Sequence, residues 1–227
     1  MLIDSRDSRI ISRRRLFAGT AAAAACLAAS GRLQAQQGPI RSMLEIRREN
    51  VVVQEWDLSC GAAALATVLR FQHGDNVSER KLVEALISRN IYIENPALVR
   101  IREGFSLLDL KRVVEGRGYN GFGYGDLTFQ DLLDLAPIIT PIDPHGYNHF
   151  VVIIGRLGDD VQVADPAFGN FTTTVERFQR GWMEFPDLGH VGFIVTRGED
   201  AAPPGRLRPD PRVFMTPPPS QIRQAML

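Results

Sequence analysis

The chain has 227 residues, of which 44% are hydrophobic and 23% charged, and its formal net charge at neutral pH is zero. This composition is typical of a globular protein, and the length favours one domain with terminal extensions over two full domains. Outside the N-terminus the basic residues are scattered. The sequence therefore offers no cationic stripe for a nucleic acid or an anionic membrane surface, and we expect neither as a partner.

Residues 1–35 predict a bacterial export signal. The basic stretch "SRRRLF" is followed by "AGTAAAAACLAA" and by "GRLQA", which ends in a small residue. This order is typical of a cleavable signal, and the pair Arg13 and Arg14 resembles the twin-arginine type. The apolar run from Leu16 to Ala29 is shorter than the roughly 20 residues that a bilayer requires. We therefore expect a periplasmic or otherwise exported protein with no membrane span in the mature chain.

Loss of this signal changes the cysteine inventory. Cys26 lies within the signal, and the alanines before it do not resemble a lipoprotein site, so the mature chain would keep Cys60 alone. A single cysteine in an oxidising compartment cannot form an internal disulfide. Cys60 is therefore expected to act as a thiol or in an intermolecular bond.

A polar lead-in over 36–43 precedes a predicted domain over 44–197, whose first half is predicted to be mainly helical. The stretch "MLEIRRENVVVQEW" favours a strand or extended segment because valines cluster in it. Apolar residues then recur at helical spacing in several segments, two of them opened by a serine suited to capping. The predicted helices are Gly61 to Phe71 beginning near Cys60, 76–90 capped by Ser78, 104–119 capped by Ser106, and 128–135.

The second half of the domain changes to short β-branched runs separated by Gly, Asp and Asn, as in an antiparallel sheet. Helices followed by strands predict an α+β fold. Residues 198–227 are rich in proline and lack periodic apolar residues, so they predict a disordered or extended tail. The predicted strands are 136–143, 149–157, 160–166, 170–175 and 190–197.

Two residues near the predicted helix start are suited to nucleophilic chemistry. Cys60 lies where the positive end of the helix dipole would stabilise a thiolate. Gln54 lies six residues earlier, and its side-chain N–H, with the Cys60 backbone N–H, is a candidate donor to the oxyanion of a tetrahedral intermediate. Taken alone, a cysteine among alanines is more often an inert core residue, and a glutamine before a helix is usually solvated.

His149 is the candidate base among the four histidines, the others being His73, His145 and His190. It opens the strand "HFVVIIGRL", and Asp165 lies at the end of the next predicted strand. A tight hairpin around "GDD" would bring these two residues to the same edge, where Asp165 would orient the ring. Each has an ordinary alternative: a histidine at a strand end is often structural, and Asp-Pro often forms a turn.

Together with these residues, three phrases carry a resemblance to a known family. Gln54-x5-Cys60-Gly61, "GFSLLDLKRVVEGRGY", "GYNHFVVIIG" and "VADPAFGN" resemble the C39 peptidases, papain-like enzymes that cut leader peptides after a double glycine. The resemblance covers roughly residues 45–197. The later phrases are especially similar to the stand-alone, exported members found with bacterial functional-amyloid secretion systems.

The resemblance implies a papain-like fold, N-terminal helices packed on a C-terminal antiparallel sheet, with no cofactor. It also implies roles: Cys60 as nucleophile, His149 as general base, Asp165 as its orienting partner and Gln54 as oxyanion donor. The sequence departs from the family at Ser59, where many members carry an acid. It also lacks the G-x-x-x-x-G-K-[ST] loop and the apolar spans of the exporters that carry C39 domains.

The leading functional hypothesis is an exported cysteine peptidase that cuts a secreted or leader-bearing protein, after a small-residue or double-glycine site, through a Cys60 thioester. Its partners would be a peptide or protein substrate and a secretion apparatus. The alternative is a non-cleaving C39-like module that assists export of a leader peptide or amyloid subunit. A thiol-redox protein is disfavoured because there is no C-x-x-C and no resolving cysteine.

Overall fold

A computed structural model of the chain describes residues 41–143, 146–198 and 205–211. The predicted export signal, Cys26 and His145 lie outside these residues, as does most of the proline-rich tail. Within the described residues, no helix has both the length and the apolar character needed to cross a bilayer.

Helices make up most of the first half, as the sequence predicts. Ser78 and Ser106 cap their helices as expected, each accepting a hydrogen bond from the backbone N–H three residues later. The helices are α1 (Met43–Arg47), α2 (Cys60–Thr67, continued by a π-helical turn over Val68–Gln72), α3 (Glu79–Ile87), α4 (Asn90–Glu94), α5 (Leu98–Ile101), α6 (Leu107–Gly116), α7 (Phe129–Asp134) and α8 (Val175–Gly181).

The sheet has six strands in the order β1-β8-β2-β3-β4-β5, and every neighbouring pair is antiparallel. A two-stranded ribbon, β6-β7, lies outside it. The strands are β1 (Asn120–Tyr124), β2 (Ile138–Ile142), β3 (His149–Leu157), β4 (Asp160–Asp165), β5 (Gly169–Thr174), β6 (Glu184–Phe185), β7 (Gly189–His190) and β8 (Gly192–Thr196). The predicted α+β class with an antiparallel sheet is confirmed.

Hydrophobic clusters cover both faces of the sheet, and the alternation along β3 shows how. Val152 and Ile154 point into a cluster with α2, α3 and α6, whereas Val151 and Ile153 point into a second cluster with Trp182 of the loop after α8. This period of two is the ordinary consequence of strand geometry. A strand buried on both faces gives its first residue, His149, a fixed backbone.

Helix α2 is wholly buried, from Cys60 to Thr67. Its alanines let it pack closely against β3, as the short side chains predict. A Cβ added at Gly61 would lie 3.3 Å from Cδ2 of Phe150, the residue that follows His149. The start of α2 and the start of β3 are therefore in contact.

The extended segment before α2 differs from the prediction in part. Ser42 and Glu45 form a capping box that starts α1, so the first residues of "MLEIRRENVVVQEW" are helical. The valines that follow are extended, but they join no strand. Their backbone bonds go elsewhere: Val52 N–H donates to Thr67 Oγ1 at 2.9 Å, and Gln54 N–H to Pro166 O at 2.8 Å.

Several more segments differ in secondary structure from the sequence-based prediction. The sequence predicts a glycine-rich link before α7, but residues 120–124 form edge strand β1, where Gly121 leaves room for the Phe193 ring. Thr174 ends β5 and caps α8, which the sequence analysis missed, as it missed α4 and α5. The last predicted strand, 190–197, is two pieces, β7 and β8, separated at Val191.

Over residues 205–211 the tail is extended, one of the two states that the sequence predicts for it, and it contacts the domain. Leu207 is 4% exposed, and Arg206 N–H donates to Phe71 O at 3.0 Å. Asp210 N–H donates to Gln162 Oε1 at 2.8 Å. This part of the tail is extended and packed against the domain, and a single leucine in a proline-rich segment gives too little periodicity to predict that.

Candidate active site

The β3-β4 hairpin brings His149 and Asp165 to one edge of the sheet. The strands pair from Leu157 opposite Asp160 to Val152 opposite Ala164, with a bulge between Ile153 and Gly155. Because the turn is tight, as "GDD" predicts, the far ends of both strands meet. His149 Nε2 lies 2.8 Å from Asp165 Oδ1.

Asp165 is held by its own turn. Its Oδ1 accepts hydrogen bonds from the backbone N–H groups of Ala167 at 2.7 Å and Phe168 at 3.2 Å. The segment Asp-Pro-Ala-Phe therefore forms a turn, which is the ordinary role of an Asp-Pro pair. The same turn directs the Asp165 carboxylate toward His149. Asp165 therefore both forms the turn and contacts the His149 ring.

Cys60 interacts with the same imidazole ring, since its side chain is one of the two groups that raise the pKa of His149. Since Nε2 faces Asp165, Nδ1 is the nitrogen left for the sulfur. Cys60 is 5% exposed, His149 4% and Asp165 8%, so the three groups interact where solvent screens them little. The structure thus brings together the sulfur, the ring and the carboxylate in one chain of contacts.

The pKa of His149 reflects these neighbours. Burial lowers it, but the hydrogen bonds to Asp165 and Cys60, together with the negative charge of both groups, outweigh burial and raise the pKa to about 10. At neutral pH the ring is therefore an imidazolium between two groups that favour its charge. Such a ring is suited to stabilise a neighbouring thiolate and then to donate a proton.

The other described histidines lack this environment. His73 is buried beside Tyr119, its Nε2 is 2.9 Å from Val195 O, and burial lowers its pKa. His190 stacks on Trp182 with 3.9 Å between ring centroids. Among the described histidines, His149 alone contacts both a carboxylate and a thiol.

Gln54 lies beside the site, held by hydrogen bonds of its backbone and of its side chain. Its N–H donates to Pro166 O, next to Asp165, and its Nε2 donates to Trp56 O at 3.0 Å. An amide nitrogen carries two hydrogens, so the second one is free of this bond. Gln54 Oε1 is buried and has no hydrogen-bond partner within the described residues.

Two further residues near the site escaped the sequence analysis. Tyr147 is 42% exposed, and its ring centroid lies 6.0 Å from that of His149. Partial burial and the charges of Asp165, Cys60 and Asp143 raise its pKa. Glu79 is buried and contacts the loop before Cys60. Tyr147 stands two residues before His149 and is recognisable by that proximity, whereas no local signal links Glu79 to Cys60.

A sulfur, an imidazolium and a carboxylate in this arrangement define a papain-like thiol hydrolase site. The sequence model that describes the peptidase C39 family matches residues 48–185 of this chain. The chain belongs to this family, and it is a cysteine peptidase.

Two curated relatives have the same name. The chain is 34% identical over 172 residues to the probable functional amyloid protease FapD of Pseudomonas aeruginosa, covering 76% of this chain and 72% of that protein. It is 36% identical over 163 residues to the protein of the same name from Pseudomonas fluorescens, covering 72% and 68%. A third relative is the lactococcin-G-processing and transport ATP-binding protein LagD of Lactococcus lactis, 27% identical over 59% of this chain and 18% of that protein.

Proposed function

We propose that this peptidase is exported and hydrolyses a peptide bond in a secreted or leader-bearing protein through a Cys60 thioester. The observation that carries the proposal is the buried group of Cys60, His149 and Asp165, in which His149 hydrogen-bonds Asp165 and its pKa is raised by both neighbours. Cys60 is the nucleophile, His149 passes the protons, Asp165 orients the ring, and Gln54 donates to the oxyanion.

The chemistry runs in two halves. The Cys60 thiolate attacks the carbonyl carbon, and the carbonyl oxygen takes up the negative charge beside the Gln54 amide and the Cys60 backbone N–H. The C–N bond breaks as His149 gives its proton to the leaving amine, which leaves a thioester on the sulfur. His149, now neutral, takes a proton from water as the resulting hydroxide attacks the thioester carbon. The C–S bond then breaks, the carboxylic acid leaves, and Cys60 returns to the thiolate beside the re-protonated His149.

We propose that the residue before the scissile bond is small, as at a double-glycine or Gly-Ala site. The support is family analogy, together with the Tyr147 ring, whose centroid lies 6.0 Å from that of His149 at the site. The FapD proteins are named as functional amyloid proteases, and we propose a secreted client of that kind, or a leader-bearing one, for this chain.

We propose export by the twin-arginine route on the basis of residues 1–35, and a secretion apparatus as partner. The support is the order of basic, apolar and small residues in the sequence. Release of this signal would leave Cys60 as the single thiol of the mature chain.

The direct test is the rate of Cys60 alkylation by iodoacetamide as a function of pH, followed by mass spectrometry of the Cys60 peptide so that Cys26 does not contribute. An ordinary thiol reacts slowly below its half-ionisation point, at about pH 8.5. Because the His149 imidazolium stabilises the thiolate, we expect Cys60 to react rapidly at pH 6. In His149→Ala the reaction should require alkaline pH.

A matched variant is His73→Ala, which removes a buried imidazole that does not contact the sulfur and should leave the alkylation profile unchanged. Ordinary thiol behaviour in the wild type, unaltered by His149→Ala, would refute the proposal and favour the non-cleaving export module.

A further inference from the structure

Glu79 is a buried carboxylate that the reaction above does not use. It is the first residue of α3 and is 4% exposed. Its Oε2 accepts a hydrogen bond from Glu55 N–H at 2.9 Å, and its Oε1 lies 2.5 Å from Ser59 Oγ. Both partners belong to the loop 55–59, which joins Gln54 to Cys60.

The loop has one face in solvent, and on that face the Arg80 guanidinium lies 5.6 Å from the centroid of the Trp56 ring. Glu55, Trp56 and Asp57 are exposed, and a cavity of about 590 Å³ is lined by Gln54, Glu55 and Glu79. Leu58 adopts a φ of 65°, a left-handed conformation that is unfavourable for a residue with a Cβ. A loop with an exposed face and an unfavourable residue depends on its hydrogen bonds for its shape.

These hydrogen bonds reach the side chain of Gln54. Ser59 Oγ lies 2.6 Å from Trp56 O as well as 2.5 Å from Glu79, so its single hydrogen serves one of these two acceptors at a time. Trp56 O also accepts the hydrogen bond from Gln54 Nε2. Glu79, Ser59, Trp56 O and the Gln54 amide thus form one continuous polar network.

The opposite side of Gln54 is anchored independently. Its backbone N–H donates to Pro166 O, in the turn that orients Asp165. Gln54 is therefore held on one side by the Asp165 turn and on the other by the loop that Glu79 binds. The Ser59 hydroxyl makes no capping bond to α2, so its role lies in this network and not in starting the helix.

We propose that Glu79 is a positioning residue for catalysis: it fixes the loop 55–59 so that the Gln54 amide and the Cys60 N–H face the same oxyanion. The inference rests on the proposed function, because it assigns Glu79 to the oxyanion donors of that reaction. The hydrogen-bond partners of Glu79 are Glu55 and Ser59, and through Ser59 it acts on Trp56 O and the Gln54 amide.

The test compares two reactions of Cys60 in the full chain. Hydrolysis of a fluorogenic peptide with Gly-Gly before the scissile bond passes through an oxyanion, whereas alkylation by iodoacetamide does not. A misplaced oxyanion donor costs about 10- to 100-fold in rate. We expect Glu79→Ala to lower kcat by that factor with a small change in KM, while Cys60 alkylation at pH 6 stays within about twofold of wild type.

Two more variants sharpen the test. Glu79→Gln keeps the size of the side chain and one acceptor oxygen, so it should lose less activity than Glu79→Ala. Asp109→Asn is the matched control: Asp109 is also buried in the first turn of a helix and also accepts from a serine hydroxyl, Ser106 Oγ at 2.8 Å. It should lower thermal stability without a selective loss of kcat.

The outcomes separate cleanly. Full activity in Glu79→Ala, or equal losses in hydrolysis and alkylation, would overturn the positioning role. A selective loss of kcat in Asp109→Asn as large as in Glu79→Ala would also overturn it, because the effect would then belong to any buried carboxylate. A wild-type chain that alkylates at pH 6 but leaves the peptide intact would refute the proposed hydrolysis, and with it this role.

Discussion

Replacing Cys60 with serine is expected to reduce peptide cleavage by about 10⁴-fold or more. The hydroxyl has nearly the size of the thiol, so packing around α2 should be preserved. A serine hydroxyl, however, is far harder to ionise than a thiol, and the His149 imidazolium that stabilises a thiolate is already protonated and cannot act as a base toward it. The measurement is kcat/KM on a panel of peptides with small residues before the scissile bond.

Thermal unfolding is the control for this variant. Because Cys60 is 5% exposed and tightly packed, an unchanged melting temperature would show that the loss comes from chemistry and not from the fold. Retention of more than a tenth of wild-type activity in Cys60→Ser would rule out Cys60 as the nucleophile.

Removing the imidazole in His149→Ala is expected to lower kcat/KM by about 10³-fold, within the range of general acid–base catalysis. The wild-type enzyme should also lose activity as the pH rises through about 10, because His149 then gives up the proton that the leaving amine needs. A profile of kcat/KM from pH 5 to 10.5 measures both effects.

Asp165→Asn tests the cause of that alkaline limit. The Asp165 hydrogen bond and charge raise the pKa of His149, so their removal should move the loss of activity to lower pH. His190→Ala provides a comparison, since this ring stacks on Trp182 away from the sulfur. An alkaline limit that stays in place in Asp165→Asn would mean that His149 does not set it.

The contact of His149 with Asp165 and the start of α2 at Cys60 could be predicted from sequence, because both depend on short stretches of chain. A two-residue turn after Leu157 brings the far ends of β3 and β4 to the same edge of the sheet, and there His149 lies close to Asp165. The start of α2 at Cys60 is predicted by the small and apolar residues that follow the cysteine. These predictions needed only patterns within about 16 residues of each other.

Glu79 and Leu207 were not predictable for the opposite reason. A glutamate in the first turn of a helix is fully explained by the helix dipole, so nothing in the local pattern points to a loop 20 residues earlier. Leu207 is buried in the hydrophobic cluster that contains Ile154 and against which Phe71 packs, and both residues are distant from it in sequence. Only tertiary packing reveals either contact.

Residues 51–53 and 120–124 show the limits of strand propensity. The valines satisfy the β-branched pattern but pair with no strand: the Thr67 hydroxyl accepts from Val52 N–H, and a turn carbonyl accepts from the N–H of the next residue, Gln54. The glycines of β1 are residues that strands usually avoid. Gly121 is nevertheless required there, because a Cβ would collide with the Phe193 ring that packs against the strand. Packing, not intrinsic preference, decides both segments.

The most direct test of the account is an unbiased cleavage experiment with the full chain and Cys60→Ala. Each is incubated with a complex peptide library, and new peptide termini are identified by mass spectrometry. We predict new termini with the wild type alone, with glycine or alanine enriched immediately before the cut. Equal sets of new termini from both proteins, or none from the wild type, would contradict the proposal that Cys60 cuts peptides through a thioester.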